Sequence, residues 1–90
     1  MNILIVGNGG RESAIADTIK RFRPEVNLFV APGNGGTATK YTNVDIAVNE
    51  IEKLVNFAKD NAIDLTVIGP EEPLVLGIVD AFQEAQLNVF

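Results

Sequence analysis

Two kinds of apolar pattern alternate along this chain. Ile3–Val6, Leu28–Val30, Val44–Val48 and Leu65–Ile68 are short runs rich in β-branched residues. The first and last are almost continuously apolar, as expected of strands covered on both faces. Val44–Val48 carries Asp45 and is less apolar, which suits a strand nearer a sheet edge. Between these runs the spacing becomes helical. Ile15, Ile19 and Phe22 fall at i, i+4, i+7, whereas Ile51, Leu54, Val55, Ala58 and then Val75, Ile78, Val79, Phe82 fall at i, i+3, i+4, i+7. Asn49 with Glu52 three residues on is close to a capping box for the second helix, and Pro73 suits the first turn of the third. Residues 37–43 are too short and polar for more than a single helical turn. Strand–helix alternation of this kind predicts an α/β fold: a three-layer, Rossmann-like domain with an open parallel sheet of four to five strands and right-handed crossovers. Leu87–Phe90 reads as the start of the fifth strand, and the chain is expected to be one domain, residues 1–90, cut from something longer.

The glycines sharpen this picture. Seven of the eight lie directly after predicted strands: Gly7, Gly9 and Gly10; Gly33, Gly35 and Gly36; and Gly69. In an open parallel sheet the carboxyl ends of the strands share one edge, and ligands bind there, where the strand order reverses. The segments "GNGGRE", "APGNGGT" and "GPEEPL" are therefore expected to converge. The first of them, a strand leading through glycines into a helix, presents backbone N–H groups at a positive helix terminus, a setting that receives phosphate or carboxylate. Arg11 is the one cation in these loops, against Glu12, Glu71 and Glu72. A carboxylate accepts hydrogen bonds from sugar hydroxyls or an amine, and Asn34 and Thr37 offer neutral hydrogen bonds. Read from the residues alone, the site suits a sugar phosphate or another small phosphorylated metabolite. No nucleophile–base pair is visible, which points to substrate holding and no catalytic residue in this stretch.

Composition removes several other classes. The chain has 90 residues, no cysteine and no histidine, so disulfides, thiolate metal sites and histidine chemistry are absent. A net charge of −5 without a cluster of Lys or Arg argues against nucleic acid, and Lys20, Arg21 and Arg23 suit the end of a helix dipole. No apolar run approaches a membrane span and Met1-Asn2-Ile3-Leu4 lacks the basic n-region of a signal peptide, so a cytoplasmic protein is expected. An alternative reading, a dinucleotide-binding module of an oxidoreductase, needs G-x-G-x-x-G and an acid after the second strand. Here the third glycine position is Glu12, and the strand runs into Val30-Ala31-Pro32-Gly33. A phosphoacceptor signalling domain needs acids after the first strand and an aspartate after the third, where this chain has Gly7-Asn8 and Asn49.

The segments "ILIVGNGGRES", "VAPGNGGTA", "NVDIAV" and "IDLTVIGPEEPLVLGIVDAF" together resemble the amino-terminal domain of the phosphoribosylamine–glycine ligase (glycinamide ribonucleotide synthetase) family, across all 90 residues and in the family's order. The resemblance implies a pre-ATP-grasp domain of a de novo purine ligase. In that family ATP phosphorylates glycine with Mg²⁺ (or Mn²⁺), and 5-phosphoribosylamine attacks to give glycinamide ribonucleotide, ADP and phosphate. It implies that ATP, metal and glycine are bound outside residues 1–90, by the remainder of the same polypeptide, and that the fragment alone is inactive. It carries a substrate-binding role onto Gly9, Gly10, Arg11, Glu12, Pro32, Gly33, Asn34, Thr37, Pro70, Glu71 and Pro73. Where the family commonly has histidine after Glu12, this chain has Ser13. Exposed apolar surface near Phe90 is expected to favour self-association.

Overall fold

The computed structural model describes residues 1–7, 10–69 and 75–90. Its order is β1 (Asn2–Gly7), α1 (Gly10–Phe22), β2 (Asn27–Pro32), α2 (Gly35–Ala38), β3 (Thr42–Asn43), α3 (Ile51–Asp60), β4 (Leu65–Ile68) and α4 (Val75–Glu84). The four strands form one sheet in the order β3-β2-β1-β4, with every pairing parallel. The chain steps from β1 to β2 and β3 in one direction, then crosses back to place β4 on the other flank of β1. That reversal puts the topological switch point between β1 and β4. A bridge from Thr66 to Val89 begins a fifth parallel position beyond β4, through Phe90 N to Thr66 O at 2.8 Å and Ile68 N to Phe90 O at 3.0 Å.

Both faces of the sheet are covered, which explains the unbroken apolar runs. Ile3 and Ile5 of β1, with Leu28 and Val30 of β2, pack under α1 around Ala16 and Val26. Leu4 and Val6 face the other way, with Ala31 and Ile68, onto Leu54 and Ala58 of α3 and Ile78 and Phe82 of α4. Both faces of β1 are buried because side chains alternate across a strand.

Three local expectations are corrected. Val44–Val48 is not a strand. Pairing stops after Phe29–Thr42 and Val30–Asn43, and after a last bond from Val44 N to Val30 O the Ile46 N–H turns back to Val44 O at 2.8 Å. The alternation of Val44, Ile46 and Val48 is instead absorbed by packing against the α3–α4 core. Helix α1 keeps part of the expected face: Ile15 and Ile19 are half-buried against the sheet, Glu12 and Ala16 are buried beside them, and Phe22 departs at 73% exposed. The small Ala16 lets α1 approach the sheet closely. The capping box expected at Asn49–Glu52 does not form either. Residue Glu50 caps α3 without a side-chain bond to it, its carboxylate taking the Ala47 N–H at 2.9 Å and the Lys53 ammonium at 2.7 Å. Those contacts hold the Glu50 carboxyl below its ordinary range, Lys53 first.

Candidate ligand-binding site

Hydrogen bonds tie the carboxyl ends of the three inner strands together. Gly7 lies opposite Pro32 in the β1–β2 register, and Gly33 N donates to Gly7 O at 3.2 Å. On the other flank Gly69 N donates to Val6 O at 3.0 Å. The starts of all three glycine segments therefore share one edge, as the sequence predicts, and the edge spans the switch point. Gly9, Pro70, Glu71 and Pro73 lie outside the described residues. Gly10 opens α1, whose first N–H groups have no partner within the helix, and Arg11 is exposed on that first turn.

The second segment is a self-braced loop. A four-residue helix, α2, is capped by Asn34: its side-chain oxygen accepts from Thr37 N at 3.0 Å, while Thr37 Oγ1 accepts from Asn34 N at 2.8 Å. The capping box thus sits here, with threonine in the place usually taken by Glu or Gln. Thr37 is 1% exposed. Its hydroxyl donates to Asn43 Oδ1 at 2.8 Å, and Asn43 Nδ2 returns a bond to Asn34 O at 3.0 Å. Gly33 turns the chain at φ +75°, preceded by a cis Ala31–Pro32 peptide. A Cβ on Gly33 would come within 2.8 Å of Thr37 Oγ1 and closer still to the Asn43 amide. Thr37 thus faces its own loop, and the backbone amides of Asn34 and Thr37 are used internally.

Sequence reasoning did not single out Asn43, although its place in "NVDIAV", at the end of a β3 that pairs only two residues, puts its side chain next to the glycine turn. Ser13 was noted only as a departure. Its Oγ lies 3.6 Å from where a Cβ on Gly36 would stand, so α1 and α2 are neighbours at this edge. A further tie, also unforeseen, runs behind the loop: the Tyr41 hydroxyl donates to Asp17 Oδ1 on α1, and Lys40 Nζ lies 3.6 Å from Asp17 Oδ2. Burial and the neighbouring carboxylate push the Tyr41 phenol up to about 12, and the same hydrogen bond lowers Asp17.

A polar groove of about 400 Å³, bordered by Lys20, Asn27, Phe29, Lys40, Tyr41 and Thr42, lies toward the opposite end of β2. It reaches Ala38, the last residue of α2, and Thr39 after it. Among the described residues no group of three His, Cys, Asp or Glu is placed to hold a metal ion, and no helix is long and apolar enough to cross a membrane.

A family model described as "Phosphoribosylglycinamide synthetase, N domain" matches residues 1–90. The phosphoribosylamine–glycine ligase of Haemophilus influenzae is 54% identical over 92 aligned positions, covering 100% of this chain and 21% of the relative. That of Vibrio vulnificus is 55% identical with the same coverage. That of Rhodopirellula baltica is 48% identical over 89 positions, covering 99% of this chain and 20% of the relative. The chain spans about a fifth of the length of these curated relatives. With a four-stranded parallel sheet that reverses order at β1 and with Gly7, Gly33 and Gly69 on its carboxyl edge, the chain belongs to the phosphoribosylglycinamide synthetase N-domain family.

Proposed function

We propose that this chain is the phosphoribosyl-holding domain of a ligase that joins 5-phosphoribosylamine to glycine with ATP, giving glycinamide ribonucleotide, ADP and phosphate. The observation that carries the reading is the meeting of Gly7, Gly33 and Gly69 on one edge across the switch point, in a chain of this family. The first turn of α1, from Gly10 and Arg11, receives the phosphate through backbone N–H groups and the guanidinium. The Asn34 loop forms one wall, its shape set by Thr37 and Asn43. Gly9, Pro32, Pro70, Glu71 and Pro73 belong to the same substrate site, with Glu71 accepting from ribose hydroxyls. ATP, Mg²⁺ (or Mn²⁺) and glycine are handled by the rest of a longer polypeptide, in the cytoplasm, and no metal-dependent step is assigned to the residues described. Phe90, 85% exposed, is a point for self-association of the isolated domain.

Titration of the ¹⁵N-labelled chain with ribose 5-phosphate tests this. The expected result is chemical-shift change at Gly10, Arg11 and residues 34–36, with none for NAD. Shifts confined to the groove beside Lys20 and Thr42, or a response to NAD alone, would overturn it.

A further inference from the structure

Carboxyl side chains are seldom fully buried. Glu12 is one that is, at 0% exposure, although it sits in the first turn of α1 beside the exposed Arg11. Its surroundings say what fills that space. A Cβ built on Gly7 would fall under 3.0 Å from Cγ, Cδ and Oε1 of Glu12, and one built on Gly69 would fall equally close to Oε1. Two glycines from different strands thus lack side chains where this one carboxyl group lies. They are the residues at which β1 and β4 leave the sheet, on either side of the switch point. The same Cβ on Gly69 would also stand 3.3 Å from Val6 O, so backbone as well as the carboxyl group crowds this position.

We infer that Glu12 is a positioning residue: its buried carboxyl group fills the junction between the carboxyl ends of β1 and β4 and sets the spacing of Gly7 and Gly69, where those strands end. It does not itself touch the ligand. This deepens the proposed function and rests on it, because the edge at which Gly7 and Gly69 meet is where the phosphoribosyl site is proposed. It also reassigns Glu12 from a hydroxyl acceptor to a support beneath the site. The carboxyl group is shared by two strands that the chain reaches more than 60 residues apart, so the fit is a property of the tertiary fold.

A double-mutant cycle between Glu12→Ala and Gly69→Ala tests the fit through urea unfolding of the 90-residue chain. Gly69→Ala is expected to lower the folded-to-unfolded ratio about 10- to 100-fold with Glu12 present and by less than about tenfold with Glu12→Ala, because the contact with the carboxyl group is gone and only the milder one with Val6 O is left. Equal losses in both backgrounds would overturn the inference. Should Glu12→Ala not fold, Glu12→Asp, which withdraws the carboxyl group by one methylene, takes its place in the cycle with the same sign expected. The second measurement is ribose 5-phosphate titration. Glu12→Ala or Glu12→Asp should weaken binding at least about tenfold, and Glu12→Gln, which keeps the shape, should restore it to within about threefold of the parent. Loss of binding in Glu12→Gln as deep as in Glu12→Ala would show a ligand-contacting carboxylate and overturn the positioning role. If the parent chain ignores ribose 5-phosphate altogether, the proposed function falls, and the unfolding cycle alone still decides whether Glu12 sets the junction.

Discussion

The Asn34 loop and the β1–β4 junction are both glycine turns on the same sheet edge, yet they are held by different physics. The loop is fixed by directional hydrogen bonds among Asn34, Thr37 and Asn43, which bring α2 and β3 onto one small polar knot. The junction adds a steric fit to its backbone bond from Gly69 N to Val6 O: a Cβ on Gly7 or on Gly69 would fall where the Glu12 carboxyl group lies. Removing a partner from a hydrogen-bonded knot leaves polar groups unsatisfied, whereas adding a methyl to a filled junction has nowhere to go. The contrast teaches where each wall of the site is vulnerable, and it is open to direct attack.

The largest effect is expected at Gly7. Its φ of +151° is a conformation that side chains other than glycine rarely adopt, and a Cβ there also meets Glu12. Gly7→Ala should cost about 3 kcal/mol, measured by urea unfolding. Unlike Gly69→Ala, it should still cost about 1–2 kcal/mol when Glu12 is shortened, since backbone strain does not depend on the neighbour. Full relief of Gly7→Ala by Glu12→Ala would mean that strain contributes nothing and that volume alone governs the junction.

Next in size is Thr37→Val. The shape is kept and the hydroxyl lost, so Asn34 N and Asn43 Oδ1 lose their partner inside a nearly closed loop. A loss of about 1–3 kcal/mol is expected, with faster amide exchange at Thr37 and Asn34 than at Gly69. Asn43→Ala should be milder, about 1 kcal/mol, because Asn43 is exposed and water can replace part of what it gives. If the two losses simply add, the knot is not a single unit; a smaller double-mutant loss than the sum shows that it is.

These two regions were unequally legible in the sequence. The strands β1 and β4, the helices α3 and α4 and the shared edge follow from periodicity and from glycines placed after apolar runs, because burial on both faces and turn geometry leave local marks. The Asn34–Thr37 pairing also has a local mark, an N-cap residue with a hydrogen-bonding side chain three positions on, but the same pattern at Asn49–Glu52 reads more conventionally and does not form. The burial of Glu12 leaves no mark at all. The sequence reads Glu12 as a carboxylate available to substrate, whereas in the fold Gly7 and Gly69 come together on its side chain. Phe22 shows the reverse: helical spacing suggests a buried ring, and Ile15 and Ile19 do pack on the sheet, but Phe22 is the last residue of α1 and is exposed.

The smallest expected effect concerns the tie behind the Asn34 loop, where Tyr41 donates to Asp17 and Lys40 stands close by. The phenol is raised to about 12 by burial and by the Asp17 carboxylate, from an ordinary value of 10.0. The folded protein therefore holds this proton more tightly than the unfolded chain does. Its contribution to stability is complete below pH 10 and is lost as the pH rises from 10 toward 12. Asp17 behaves oppositely. The Tyr41 hydroxyl chiefly lowers it from 3.8, so its contribution is complete above that value and fades as the pH falls further. Tyr41→Phe removes both effects at once. Stability curves of the parent and Tyr41→Phe chains should run parallel between pH 5 and 9 and close together at each extreme, with Lys40→Gln as the control for the neighbouring ammonium. Because Tyr41 joins α1 to the segment between α2 and β3, its loss should also loosen the Asn34 amide while leaving Gly69 unchanged. Equal loosening at both positions would show that the two glycine turns are one mechanical unit, not two.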